Sequence, residues 1–239
     1  DQRAGEPNEA AAREFVRLLG EHGVAVTGAA GVGTAPAGAT ELASIESQPL
    51  PAVLAEMLTN SDNNTAELVL KELGYQQSQQ GTREAGAAVV TATLQSWGVS
   101  TAGLVIGDGS GLSLDNRVSC TTMLQVLQHA GFDGPVGQGL AIGGQTGTLA
   151  KAFSDTSVAG RIRGKTGTLM NLPFDQGPPA VKALSGYLPV EGGEAIEYVL
   201  ILNGGMITEQ SEYRPIWAEL VTALTSYPAV VSPAELGPR

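Results

Sequence analysis

Residues 159–168 read AGRIRGKTGT, and the fold turns on how this stretch is read. Gly164-Lys165-Thr166 fits the end of a loose phosphate-binding loop if Ala159 stands for that pattern's first glycine. Lys165-Thr166-Gly167 also fits a β-strand that offers a cation and hydroxyls to a ligand. A phosphate loop needs a buried strand before it, glycines within it and a helix after it. The preceding residues, 153–158, read FSDTSV, which is no apolar strand, and the interior Gly160-Arg161-Ile162-Arg163 holds one glycine. Beyond it come Gly167, Asn171, Pro173, Gly177, Pro178 and Pro179, where no helix can persist. The strand reading accounts for more. Arg161, Arg163 and Lys165 alternate with Ile162 and Gly164, which predicts a strand with one polar face over 160–168. Gly167 has no side chain, so a ligand backbone can lie close to it. Lys165, Thr166 and Thr168 together suit a carboxylate.

The strand reading needs a partner motif, and Ser61-Asp62-Asn63 supplies one, 104 residues earlier. Ser61 can relay a proton, and Asn63 can hydrogen-bond a substrate amide through both ends of its side chain. Asp62 is better suited to fixing the turn. Taken alone, the run 60–64 (NSDNN) reads more readily as a helix cap than as a site. The two motifs in this order are more specific than either one.

Composition narrows the rest. The chain has 239 residues, 42% of them hydrophobic, enough for one domain or two with a sizeable core. Thirteen basic against 24 acidic residues give a net charge of −11, which disfavours nucleic acid as a partner. The single cysteine, Cys120, excludes an internal disulfide and reads as a small buried residue near a helix start. His22 and His129 each precede a glycine and read as helix C-terminal residues. Neither has neighbours at metal-ligand spacing, so no metal site is expected. No run of 18 apolar residues and no leader pattern is present.

Apolar periodicity predicts helices over 7–23, from Pro51 to Leu58, from Ala66 to Leu73 with Gly74 as its stop, over 83–97, over 121–130 and over 211–227. Residues 24–26 (VAV) read as a short strand, and 75–82 (YQQSQQGT) as a polar loop. Residues 170–179 interrupt the strand pattern, and 181–188 and 195–202 read as paired strands around Glu191-Gly192-Gly193. Helices come first, then strands, then a closing helix. This order predicts an α+β fold with an antiparallel sheet flanked by helices. Residues 1–6 read as a linker and 228–239 as a tail.

Several ordered blocks resemble the D-alanyl-D-alanine carboxypeptidase/endopeptidases of the class C low-molecular-mass penicillin-binding proteins, peptidase family S13. Residues 60–67 (NSDNNTAE) resemble the family's Ser-x-Asn block. Asp108-Gly109-Ser110-Gly111-Leu112-Ser113 with Asn116-Arg117 is similar to its DGSGLS…NR segment. Gly147-Thr148-Leu149, residues 160–169 (GRIRGKTGTL) and Leu184-Ser185-Gly186-Tyr187 complete the set. The resemblance covers about residues 7–227 and implies a transpeptidase-like fold lacking its N-terminal part. It implies acyl transfer on peptidoglycan stem peptides ending in D-Ala-D-Ala, β-lactams as inhibitors, no metal or organic cofactor, and export from the bacterial cytoplasm. Ser61, Asn63 and Lys165 would be catalytic, with Thr166, Gly167 and Thr168 binding substrate. Asp108 and Ser110 read as loop structure.

One motif departs from the pattern. The family's nucleophile lies in Ser-x-x-Lys. The residues three places before Lys71, Lys151, Lys165 and Lys182 are Leu68, Thr148, Ile162 and Pro179, none of them serine. The resemblance therefore implies a C-terminal portion of such an enzyme, all 239 residues belonging to one transpeptidase-like domain, with the segment carrying Ser-x-x-Lys as its partner. The competing reading is a non-catalytic module that binds cell-wall peptide.

Overall fold

The computed structural model describes residues 6–171, 176–191, 194–204, 206–207 and 213–227, with the side chains of 176–178 outside that description. The chain forms two compact units, Asp1–Ser47 and Gln48–Arg239. The first holds one helix, α1 (Pro7–Glu21), with Pro7 in its first turn and His22 at its C-cap, as expected. Its surface is laced by ion pairs between Glu9 and Arg13 and from Arg17 to Glu14 and Glu21. Residues 24–26, expected as a strand, carry no regular structure. Three apolar or alanine residues after a helix stop lack a paired neighbour strand, and a lone strand is unstable.

The second unit begins with α2 (Leu50–Asn60), α3 (Asn63–Ser78) and α4 (Arg83–Ser96). Gly74 does not end α3. The helix continues through Gln76 to a left-handed Gln79 at its C-cap, so half of the expected polar loop is helical. Gly74 serves packing instead. A Cβ there would lie 2.7 Å from Gly86 N, and a Cβ on Gly86 would lie 2.1 Å from Leu70 O. The pair lets α3 and α4 touch backbone to backbone.

Next come α5 (Cys120–Ala130), the five-residue α6 (Pro135–Gly139), and four strands: β1 (Ala141–Ile142), β2 (Arg163–Asn171), β3 (Gln176–Pro189) and β4 (Ala195–Asn203). They form one antiparallel sheet in the order β1-β2-β3-β4. α7 (Arg214–Thr225) closes the chain. The predicted α+β class and antiparallel sheet hold. β2 starts later and runs further than expected, because the register absorbs two shifts between Leu169 and Asn171, where Met170 faces Pro179. A proline is tolerated at such an irregularity.

The sheet is covered on both faces. Trp217, Val221 and Leu224 of α7 pack with Leu184, Leu188, Tyr198, Ile162, Val158 and Leu149 in the larger core. Each such side chain contributes about 1.5–3 kcal/mol on burial. On the opposite face Tyr187 packs with Leu127 of α5 and Leu140, and its hydroxyl donates to Leu127 O at 2.7 Å. Cys120 is exposed, against expectation. Ser119 caps α5, so Cys120 is its first residue, and the buried position of that turn falls to Thr122, which donates to Ser100 O. No helix of the described residues is long and apolar enough to cross a membrane. The expected tail lies outside the described residues, as does the expected linker apart from Glu6.

Candidate active site

Two residues, Ser61 and Asp62, join α2 to α3. Ser61 takes the left-handed conformation, φ 59° and ψ 49°, at the C-cap of α2. That conformation costs a non-glycine residue about 1 kcal/mol or more. Asp62 holds the joint in place as the N-cap of α3. It accepts from Asn64 N at 2.8 Å and from the Thr65 hydroxyl at 2.8 Å. The Thr65 hydroxyl first and the Asn64 N–H second keep the Asp62 carboxyl below its ordinary range. The run 60–64 is thus both a cap and a presenter of Ser61.

The structure brings Ser61 to Lys165. Lys165 Nζ donates to Ser61 Oγ at 2.6 Å and to Thr166 O at 2.6 Å. Burial pushes the Lys165 pKa down to about 8. Among the described residues no carboxylate lies within ion-pair distance of it, so nothing offsets the loss of water.

β2 is positioned by small residues. A Cβ at Gly164 would meet Tyr198 Oη at 2.7 Å, and one at Gly186 would meet Arg163 O at 2.0 Å. Tyr198 Oη donates to Arg163 O at 2.9 Å, fixing β2 against β4 across the sheet. β1 pairs only with Arg163 and Gly164, so beyond Gly164 that edge of β2 has no partner strand among the described residues. An open edge can accept an extended peptide as a further strand.

Side chains alternate along β2, placing Thr166 and Thr168 on the face opposite Lys165. Thr168 Oγ1 accepts from Lys182 Nζ at 2.8 Å. Gly167 faces Ala183 in the ladder. Asn63 is exposed at the first position of α3, two residues from Ser61, and makes no side-chain hydrogen bond within the described residues. Ser61 and Lys165 therefore meet directly, whereas Asn63 and the threonine hydroxyls flank the pair without touching it.

The remaining matched blocks are scaffold. Asp108 is nine-tenths buried and accepts from Ser110 Oγ, Asn116 Nδ2 and the backbone N–H groups of Gly111, Leu112 and Ser113. Burial raises its pKa, and the Asn116 and Ser110 side chains with these N–H groups outweigh that, leaving it below the ordinary value. Glu67, 3% exposed, accepts from Arg83 Nε at 2.9 Å and Ser110 Oγ at 3.2 Å, tying α3 to the Asp108 loop. Gly147 opens a 3-10 turn, Gly147–Leu149, against Thr59 O, where a Cβ would stand at 2.0 Å. Sequence reasoning missed Glu67, Tyr198 and Lys182, each of which acts through a partner distant in the chain.

Known proteins resemble this chain in sequence and in fold. The profile of the D-Ala-D-Ala carboxypeptidase 3 (S13) family matches residues 2–227. A D-alanyl-D-alanine carboxypeptidase of an Actinomadura species is 36% identical over 211 residues, covering 83% of this chain and 37% of that protein. A carboxypeptidase of Mycobacterium tuberculosis is 34% identical, covering 84% of this chain and 43% of its own length. The chain thus spans well under half the length of these curated relatives. Penicillin binding protein 4 of Haemophilus influenzae, solved in complex with a β-lactam, superposes with a TM-score of 0.70 at 23% identity, covering 94% of this chain and 52% of that one. That likeness fixes the fold as the penicillin-binding-protein type. With residues 2–227 of its 239 matched by that profile, the chain belongs to the D-Ala-D-Ala carboxypeptidase 3 (S13) family.

Proposed function

We propose that residues 1–239 are the part of a serine D-Ala-D-Ala carboxypeptidase/endopeptidase that carries its Ser-x-Asn and Lys-Thr-Gly motifs. The whole protein acts on peptidoglycan stem peptides outside the cytoplasm and is acylated by β-lactams. The observation that carries this reading is the 2.6 Å hydrogen bond from Lys165 to Ser61, which unites motifs 104 residues apart. Family membership and the β-lactam-bound neighbour support it.

A serine of the longer protein, in Ser-x-x-Lys, attacks the carbonyl of the D-Ala-D-Ala bond and gives its hydroxyl proton to the lysine of that motif. The open edge of β2 receives the peptide. The Thr168 N–H supplies half of the oxyanion hole. Asn63 orients the peptide amide, and Gly167 leaves room for the substrate backbone. The Thr166 and Thr168 hydroxyls receive the terminal carboxylate on the face of β2 opposite Lys165, whose ammonium is bonded to Ser61 Oγ and Thr166 O. When the C–N bond breaks, Ser61 Oγ gives its proton to the departing amine and takes one back from Lys165 Nζ. Water then hydrolyses the acyl-enzyme: the serine oxygen regains its proton as the ester bond breaks, and the proton released by the water restores Lys165. The lowered pKa of Lys165 suits this role, since a proton held near pH 8 moves easily in either direction.

A second reading has one observation in its favour: none of the four lysines follows a serine at the required spacing. On that reading the chain binds cell-wall peptide without cutting it. Fluorescent penicillin separates the two. Covalent labelling of the longer protein, at a serine outside residues 1–239, is the expected result. Failure of the longer protein to label overturns the enzyme reading, and labelling within residues 1–239 overturns the placement of the nucleophile.

A further inference from the structure

Lys182 is absent from every motif and lies on β3, directly across the ladder from Thr168. Its ammonium donates to Thr168 Oγ1 at 2.8 Å and sits 4.7 Å from the centre of the Tyr213 ring at the start of α7. From these contacts we infer that Lys182 is a specificity residue, the cation that recognises the free carboxylate at the substrate's C-terminus together with Thr168. The inference rests on the peptidase reading above.

The chemistry of the two lysines supports this division. Lys165 is committed on its own face of β2, with its ammonium bonded to Ser61 Oγ and Thr166 O. The Thr166 and Thr168 hydroxyls point to the other face, where Lys182 stands. The Thr168 oxygen accepts from Lys182, so its own hydrogen is directed elsewhere and can be donated to an anion. A carboxylate bound there would take a hydroxyl proton and face an ammonium in one stroke, a charge-assisted arrangement. The Tyr213 ring restricts the lysine, so less conformational freedom is lost when the anion arrives.

The test uses the longer, penicillin-reactive protein and two probes, benzylpenicillin and its methyl ester, which differ only in the carboxylate. Lys182→Ala is expected to slow acylation by the free acid roughly 10- to 100-fold, the range of a charged hydrogen bond, and to leave the ester rate unchanged. Lys182→Arg is expected to keep most of the acid rate. The ester rate also checks folding of each variant. Equal slowing of acid and ester, or no slowing of either, overturns the inference while the peptidase reading stands. A wild-type protein that neither probe acylates overturns the peptidase reading and this inference with it.

Discussion

Ser61 combines a local cost with a functional contact. Its left-handed backbone favours glycine, yet its Oγ is the atom that Lys165 holds. Ser61→Gly should therefore raise the unfolding free energy by about 1 kcal/mol in urea titrations. The same change should slow acylation of the longer protein about 100-fold. A variant that is no more stable than the wild type would show that the conformation carries no strain. Lys165→Ala should lower acylation by roughly 10²–10³-fold, since it removes a positioned proton donor and a charge together. Because the Lys165 pKa is near 8, the acylation rate should fall as pH rises through about 8. Lys165→Arg should displace that limb upward, since a guanidinium stays protonated. A limb that stays at pH 8 in the arginine variant belongs to another group. Much of this site is legible in the chain: Ser61, Asn63 and Lys165 stand in recognisable motifs. The left-handed turn and Lys182 are not, because one depends on how two helices meet and the other on cross-strand register.

At the scale of elements, helices were the easier reading and their boundaries the harder one. Gly74 looks like a helix stop because glycine often ends helices, yet here its missing Cβ admits α4. Local sequence cannot distinguish the two uses, since the second is set by a residue twelve positions on. Likewise Pro178-Pro179 looks incompatible with a strand, and only the register shift opposite Leu169 and Met170 reconciles it. The glycine pair gives a direct test. Gly86→Ala puts a methyl 2.1 Å from Leu70 O, which forces α3 and α4 apart. Unfolding free energy should drop by about 1–3 kcal/mol, the usual cost of overpacking. Ala85, the neighbouring position, is the control. Ala85→Ser should change stability by less than about 1 kcal/mol. Since α3 begins two residues after Ser61, the Gly86 variant should also slow acylation of the longer protein, and an unaltered rate would uncouple the α3–α4 contact from the site.

The whole molecule carries a net charge of −11 and several ionisable groups with displaced pKa values, and their signs shape its stability across pH. Asp62, Glu67 and Asp108 lie below their ordinary values of 3.8, 4.5 and 3.8. For Glu67 burial pushes the other way, and Arg83 and Ser110 outweigh it. Groups of this kind add stability above the unfolded pKa, and the gain is lost as pH falls through the folded one. Stability should therefore decline as pH drops below about 4.5. Lys165 acts in the opposite sense. Its folded pKa, about 8, lies below its ordinary 10.5, so between those values the unfolded chain binds the extra proton. Stability should rise with pH through that window. Tyr187 sets the upper limit, because burial first and Glu197 second raise its pKa from 10.0 to about 12, and burial raises Tyr198 too. Their neutral forms are favoured in the fold, so stability declines as pH climbs past 10. The sum is a maximum between about pH 8 and 10, more alkaline than the usual range of 5 to 8. Urea titrations at half-unit pH steps measure it, and Lys165→Met supplies the control. With the methionine in place the rise above pH 8 should vanish, while the acid limb stays where it was. A rise that survives the substitution would place the proton release elsewhere in the fold.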